Sequence, residues 1–190
     1  AFNQPEPTSI LRDKTGIAPG ASINLSRDDS DPDYIRQVNR TRLMAHLKEA
    51  MSDEIAREMV ELIVKNDVII VRFPGSSTFA SGSSDLQTRI LPTLDRIADV
   101  IARTKGKVFV TGHTDDTPIS TQRYRSNWDL SSARAASVVH HILKHQTIDR
   151  NRVQAIGFAE TRPLTKNDTA ENRSLNRRVE ISIEISSLRE

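Results

Sequence analysis

Val179-Glu180-Ile181-Ser182-Ile183-Glu184-Ile185 sets an apolar residue at every second position and a polar one between. Successive side chains of a strand point to opposite faces, so this segment reads as a strand with one face buried and one face wet. Val68 to Phe73 is apolar enough to lie beside it, and Val60, Leu62 and Val64 alternate just upstream. Asn66-Asp67, a turn-prone pair, separates these two runs, so they read as a hairpin. Val108 to Thr111 and Val153 to Phe158 are two further short strands.

Helical spacing fills the gaps. Leu86, Ile90, Leu94, Ile97 and Ile101 recur on one face, and Lys105-Gly106-Lys107 ends that helix. Pro92 requires the helix to start late or to bend there. From about Leu130 to His145, Ala135, Val138, Val139, Ile142 and Leu143 share one face. Strands and helices in this order predict an α+β fold of two layers, with helices packed on one face of a mixed β-sheet.

Upstream, Pro32 to about Met59 is helix-friendly, with Leu43, Leu47, Met51, Ile55 and Met59 at four-residue spacing. Asp31-Pro32-Asp33 is a suitable start, because aspartate caps and proline fits a first turn. This long amphipathic helix packs its stripe either on the following domain or on a second copy of itself. Residues 1–30 mix Pro5, Pro7, Gly16, Pro19 and Gly20 with Ser, Thr and Asp and show no apolar period, as in a flexible tether. The cluster Asp28, Asp29, Asp31 and Asp33 lacks the glycine and terminal glutamate of a calcium loop. The expected division is 1–30 linker, 31–59 amphipathic linker helix and 60–190 folded domain.

Composition excludes several functions. The 190 residues suit one ordinary domain plus an extra segment. Net charge is +2, from 27 Lys and Arg against 25 Asp and Glu, too even to demand nucleic acid. No cysteine is present, so disulfides, thiol catalysis and cysteine-ligated zinc are out. The longest apolar run, Val68-Ile69-Ile70-Val71, is strand-sized, far short of the roughly 20 residues that cross a bilayer. Because it opens on Ala1 without a signal-like segment, the chain reads as a fragment whose membrane anchor lies upstream.

The chemistry concentrates in Val110-Thr111-Gly112-His113-Thr114-Asp115, where a buried strand runs into polar residues, a usual place for a site. The next helix opens around Asn127-Trp128-Asp129-Leu130-Ser131 and carries Arg134 one turn inside. A first-turn arginine opposes the helix dipole, which implies an anionic partner such as a carboxylate. His141 and His145 stand four apart on a helix, but Ile142 occupies the place where a zinc protease needs its glutamate, and no third ligand is suitably spaced. Ser131 and Ser132 lack a glycine-flanked elbow. Trp128 reads as a packing residue under the loop rather than a sugar-stacking platform, and Arg178 as an exposed turn residue.

Taken in order, Gly112-His113-Thr114-Asp115, Asn127, Leu130-Ser131, Arg134-Ala135, Gly157-Phe158, Pro163, Asn167-Asp168 and Asn176-Arg177-Arg178-Val179-Glu180 resemble the OmpA-like peptidoglycan-binding domain, over about Phe73 to Ile185. Position by position, the resemblance implies that Asp115 receives the ammonium of the diaminopimelate side chain and Arg134 its carboxylate. It also places Thr114, Asn127 and Arg177 around the same pocket, with Leu130 as an apolar wall. Such a site would bind without turnover and needs no metal or cofactor.

Asp115-Asp116-Thr117-Pro118-Ile119, the polar loop through Tyr124, and Ser126-Asn127-Trp128-Asp129-Leu130-Ser131 resemble, more narrowly, the periplasmic part of flagellar stator subunits of the MotB and PomB type. Pal-like lipoproteins have a shorter connection and a Tyr-Asn entry there. This resemblance implies a homodimer, an A-type stator membrane subunit as partner, and the periplasmic domain of a single-span inner-membrane protein. The alternatives are a general OmpA or Pal-like envelope linker and, more remotely, a cell-wall hydrolase.

Overall fold

The computed structural model describes residues 31–185, so the expected tether over 1–30 lies outside the described residues. Five strands form one mixed sheet: β1 (Glu61–Lys65), β2 (Val68–Pro74), β3 (Val108–His113), β4 (Val153–Gly157) and β5 (Arg178–Glu184). Their order is β1-β2-β5-β3-β4. Only the β3/β4 pair is parallel, joined by a helical crossover; β1/β2, β2/β5 and β5/β3 are antiparallel. The expected hairpin turns at Asn66, which adopts φ of 53°, a left-handed conformation asparagine tolerates.

Among the described residues six α-helices accompany the sheet: α1 (Pro32–Ala50), α2 (Ser52–Ala56), α3 (Gly75–Thr78), α4 (Leu91–Ala102), α5 (Asn127–Ile142) and α6 (Ala170–Asn176). α1 packs on α4, α4 on α5, and α5 on β3 and β4. The alternation of the strands fixes which face they cover. Ile69, Val71, Phe73, Val108, Val110, Val179, Ile181 and Ile183 all lie in the core. The other sheet face carries Arg72 between Glu61 and Glu180, at 2.7 and 2.9 Å. The result is the two-layer α+β arrangement that the patterning predicts.

Local chemistry explains the boundaries. Asp31 caps α1 by accepting the Asp33 N–H at 2.9 Å, with Pro32 opening the helix. α4 starts late, with Pro92 in its first turn after a 3-10 turn at Thr88–Ile90. The helix expected through Met59 is interrupted at Met51, which separates α1 from α2. Leu43, Leu47 and Met51 are completely enclosed in the core shared with the sheet, so the stripe packs on its own chain. Glu54 of α2 accepts from Thr93 Oγ1 at 2.7 Å and pairs with Arg96, which ties α2 to α4.

Two glycines let α5 lie close to the sheet. A Cβ at Gly112 would stand 2.1 Å from the Ser131 carbonyl oxygen, and one at Gly157 would stand 2.2 Å from Ser132 Oγ. Any larger residue would push the helix off the strand ends that carry the site. No helix among the described residues is long and apolar enough to cross a membrane.

Candidate functional site

β3 ends at His113 and delivers Thr114 and Asp115 to the C-terminal edge of the sheet. The Thr114 N–H donates to the Ala159 carbonyl at 2.9 Å, and the Ala159 N–H donates to Ser131 Oγ at 3.1 Å. Ala159 therefore links the end of β3, the loop after β4 and α5. It does so with φ of 48°, a conformation that strains a non-glycine residue.

Asp115 is buried, and both carboxylate oxygens are engaged. Oδ1 accepts the Thr117 N–H at 3.1 Å, and Oδ2 accepts Arg177 Nη1 at 2.6 Å. Arg177 follows α6 directly, so its position depends on that short helix. Buried Asn176 fixes the approach: its Oδ1 accepts the Leu164 and Thr165 N–H groups at 2.8 and 3.2 Å, and its Nδ2 donates to the Thr165 carbonyl and Asn167 Oδ1.

Asn127, at the first turn of α5, donates from Nδ2 to the Asp115 carbonyl at 3.3 Å, to the Thr117 carbonyl at 3.1 Å and to Glu160 Oε2 at 3.2 Å. It thus holds the peptide that carries Asp115. Leu130 and Arg134 lie three and seven residues further on, the same face of a helix, and both are buried. Arg134 Nε donates to the Ser83 carbonyl at 2.9 Å, and its guanidinium lies 5.1 Å from the centroid of the Phe79 ring. Among the described residues Arg134 has no ion-pair partner. Burial, first of all, pulls its pKa below the usual arginine value, while Tyr124 and Asp115 oppose that shift and Arg177 adds to it. Asp115 and Arg177 are therefore close enough for their charges to act on Arg134.

The six residues expected at the site, Thr114, Asp115, Asn127, Leu130, Arg134 and Arg177, stand there differently. Asp115 and Arg177 touch, Asn127 acts through backbone, and Arg134 sits nearby without a carboxylate. Thr114 Oγ1 is enclosed with no hydrogen-bond partner. α5 begins at Asn127, so Arg134 is its eighth residue, beyond the reach of the helix dipole; burial without a counter-charge marks it instead. Trp128 is half exposed, not packed under the loop. Arg178 is buried rather than exposed: it donates to Glu180 Oε1 at 2.7 Å and to the Arg162 carbonyl at 3.1 Å. Burial works against ionisation of Glu180, but the hydrogen bonds and charges of Arg178 and Arg72 more than offset it and hold the carboxyl below its ordinary value.

Sequence reasoning passes over Ser83, Ser84, Tyr124 and Asn176 as site components. Of these, Asn176 and Tyr124 stand within the motifs quoted above, whereas nothing in the sequence marks Ser83 or Ser84. His141 and His145 pair with Asp95 and Asp99 across the α4/α5 seam, at 2.7 and 2.9 Å. An apolar groove of about 930 Å³ lies elsewhere, between Ile55, Val60, Leu62, Pro74, Leu164 and Leu175, and holds neither Asp115 nor Arg134.

With that geometry in place, residues 78–177 match the OmpA family, spanning β3, α5, β4, α6 and the expected site residues from Thr114 to Arg177. The chain belongs to the OmpA family. Within it, this OmpA-family chain is similar to Motility protein B of Bacillus subtilis (strain 168), 27% identical over 148 residues. That likeness covers 77% of this chain and 57% of the relative's length. It is also similar to the solved cell wall anchor of the T6SS from Pseudomonas aeruginosa, 40% identical with a TM-score of 0.68 over 74% of this chain and 97% of that one. A MotB-like protein from Desulfovibrio vulgaris aligns with a TM-score of 0.73 at 26% identity, over 81% of this chain and 98% of that one. The OmpA-family fold thus accounts for the mixed five-stranded sheet and its helical layer.

Proposed function

We propose that this chain binds peptidoglycan without turning it over and anchors a flagellar stator complex to the cell wall. The observation that carries the proposal is Arg134: a buried guanidinium with no carboxylate of its own, close enough to Asp115 to feel its charge. A ligand end bearing both an ammonium and a carboxylate matches this pair of opposite fixed charges, each able to give a short charge-assisted hydrogen bond. The diaminopimelate side chain of a wall stem peptide is such an end. Asp115 takes its ammonium alongside Arg177, Arg134 its carboxylate, Leu130 borders its methylenes, and Thr114 and Asn127 hold the loop that presents Asp115.

Similarity to a Motility protein B and to a MotB-like structure favours the stator over other cargo. On this reading the chain is the periplasmic part of a single-span inner-membrane protein, works as a homodimer and meets an A-type membrane subunit through a span outside this sequence. Two pockets engaged together would grip more firmly than one. The second reading, a general envelope linker, rests on the 40% identity to a T6SS wall anchor; it keeps the same pocket and changes only the cargo.

Two assays test these parts. Purified sacculi incubated with the protein should retain it and release no soluble muropeptides; release would replace binding by hydrolysis. Grafted onto the membrane span of a motility B subunit, the domain should restore swimming, and Arg134→Ala in the graft should abolish it. A graft that binds sacculi yet leaves cells immotile would favour the general linker.

A further inference from the structure

Arg134 is aimed by groups outside the ligand pocket. Ser83 holds its Nε, and Ser83 lies in the stretch 80–87, which contains no helix or regular strand and has only an isolated bridge, Phe79 to Leu86, at its base. Beyond its own backbone hydrogen bonds, from the Ala80 N–H to the Asp85 carbonyl and from the Ser83 N–H to the Ala80 carbonyl, that stretch is held by the long loop between β3 and α5. Tyr124, 4% exposed, accepts the Ser84 N–H at 3.0 Å and donates its hydroxyl to Ser84 Oγ at 2.8 Å. Next to it, Arg123 makes two parallel hydrogen bonds to Asp85, both 2.9 Å. Asp85 in turn accepts from Ser83 Oγ at 2.7 Å and returns its own N–H to that oxygen at 2.9 Å. Three consecutive residues, Ser83, Ser84 and Asp85, are thus pinned from the facing loop.

We infer that Tyr124 and Arg123 latch loop 80–87 into a collar whose Ser83 carbonyl orients Arg134 so that its two terminal nitrogens meet a ligand carboxylate end-on. With Nε given to Ser83 and one guanidinium face over Phe79, those terminal nitrogens are the donors left, and no group among the described residues takes them. Tyr124 is a positioning residue: it never touches the ligand. The collar also gives the long β3–α5 loop a task, since a short connection would not bring a tyrosine and an arginine to Ser84 and Asp85. A preorganised arginine loses less freedom on binding than one that must be ordered by its ligand.

This inference rests on the wall-binding reading, and its test separates the two. The affinity of a stem tetrapeptide carrying diaminopimelate is measured beside that of the same peptide with the side-chain carboxylate converted to carboxamide. Tyr124→Phe should weaken the carboxylate peptide about tenfold, the equivalent of one well-placed hydrogen bond, and leave the carboxamide peptide's weaker binding unchanged. General loosening of the fold would lower both. Hydrogen exchange at the Ser84 amide should accelerate in the same variant. Arg123→Ala changes only exposed atoms and should cost about two- to threefold; it decides the matter alone if Tyr124→Phe does not fold. If Tyr124→Phe and Arg123→Ala bind like the parent while Arg134→Ala does not, the collar is overturned and the pocket stands. Parental binding by Arg134→Ala overturns both.

Discussion

Arg177 Nη1 meets Asp115 Oδ2 at 2.6 Å, across 62 residues of sequence. One partner is buried and the other is partly open to solvent, with 39% of its side chain exposed. The Asp115 carboxylate is therefore already fixed in place; on the proposed reading an incoming ammonium would share it with Arg177.

A double-mutant cycle reads this relationship. Arg177→Ala strips a buried carboxylate of its counter-charge, whereas Asp115→Ala leaves only a partly solvated arginine. The cycle closed by the double variant should give a coupling of about 1 kcal/mol in urea unfolding, at the upper end for a partly exposed pair. Additive single effects would mean that the contact contributes nothing to the fold.

Gly112 and Gly157 keep α5 against the sheet, so the site depends on their lacking a side chain. Gly112→Ala forces a methyl into the Ser131 carbonyl, backbone against backbone, where no rotamer offers escape. Thermal or urea unfolding should register a loss of about 1–3 kcal/mol. An unchanged midpoint would show that the close approach of α5 is not required.

Much of this arrangement was legible in the sequence, because the strands alternate cleanly and the core stripes of α4 and α5 obey helical spacing. α6 was not. Ala170 to Asn176 has a single large apolar residue, Leu175, and that residue is exposed, so no stripe announces the helix; only Thr169, whose Oγ1 accepts the Asn172 N–H at 3.1 Å, marks its start. The apolar stripe of α5 shows only from Leu130, three residues after the helix begins at Asn127, for a related reason. Asn127 is buried to hold Asp115, not to fill a core, and periodicity detects only cores. The burial of Arg178 depends on Glu180 and on the Arg162 carbonyl, and the aim of Arg134 on Ser83, 51 residues away. Such polar partnerships across the chain leave no local pattern.

His113 supplies a pH dependence. Burial above all, and then the nearby charge of Arg178, push its pKa down to about 4 from 6.5. A histidine whose folded pKa is depressed refuses a proton that the unfolded chain accepts, so stability is full above pH 6.5 and falls as the pH drops towards 4. Over that window the loss from this group should approach about 3 kcal/mol. His113→Gln should lose less stability than the parent between pH 7 and pH 4.5 in urea titrations. Equal losses would assign the acid sensitivity to other groups, Glu180 first among them.

α1 belongs to the core in packing terms, whatever role it has as a linker. Leu47 is fully enclosed beside Leu43 and Met51, so Leu47→Ala should cost about 2–5 kcal/mol. A much smaller loss would mean that α1 detaches from the sheet domain in solution.

The grip itself is most directly tested by sedimenting purified sacculi with the parent protein, with Asp115→Ala and with Arg134→Ala, each verified as folded. The parent should pellet with the wall, and both variants should stay in the supernatant. Undiminished sedimentation of either variant would contradict the assignment of wall binding to this pocket.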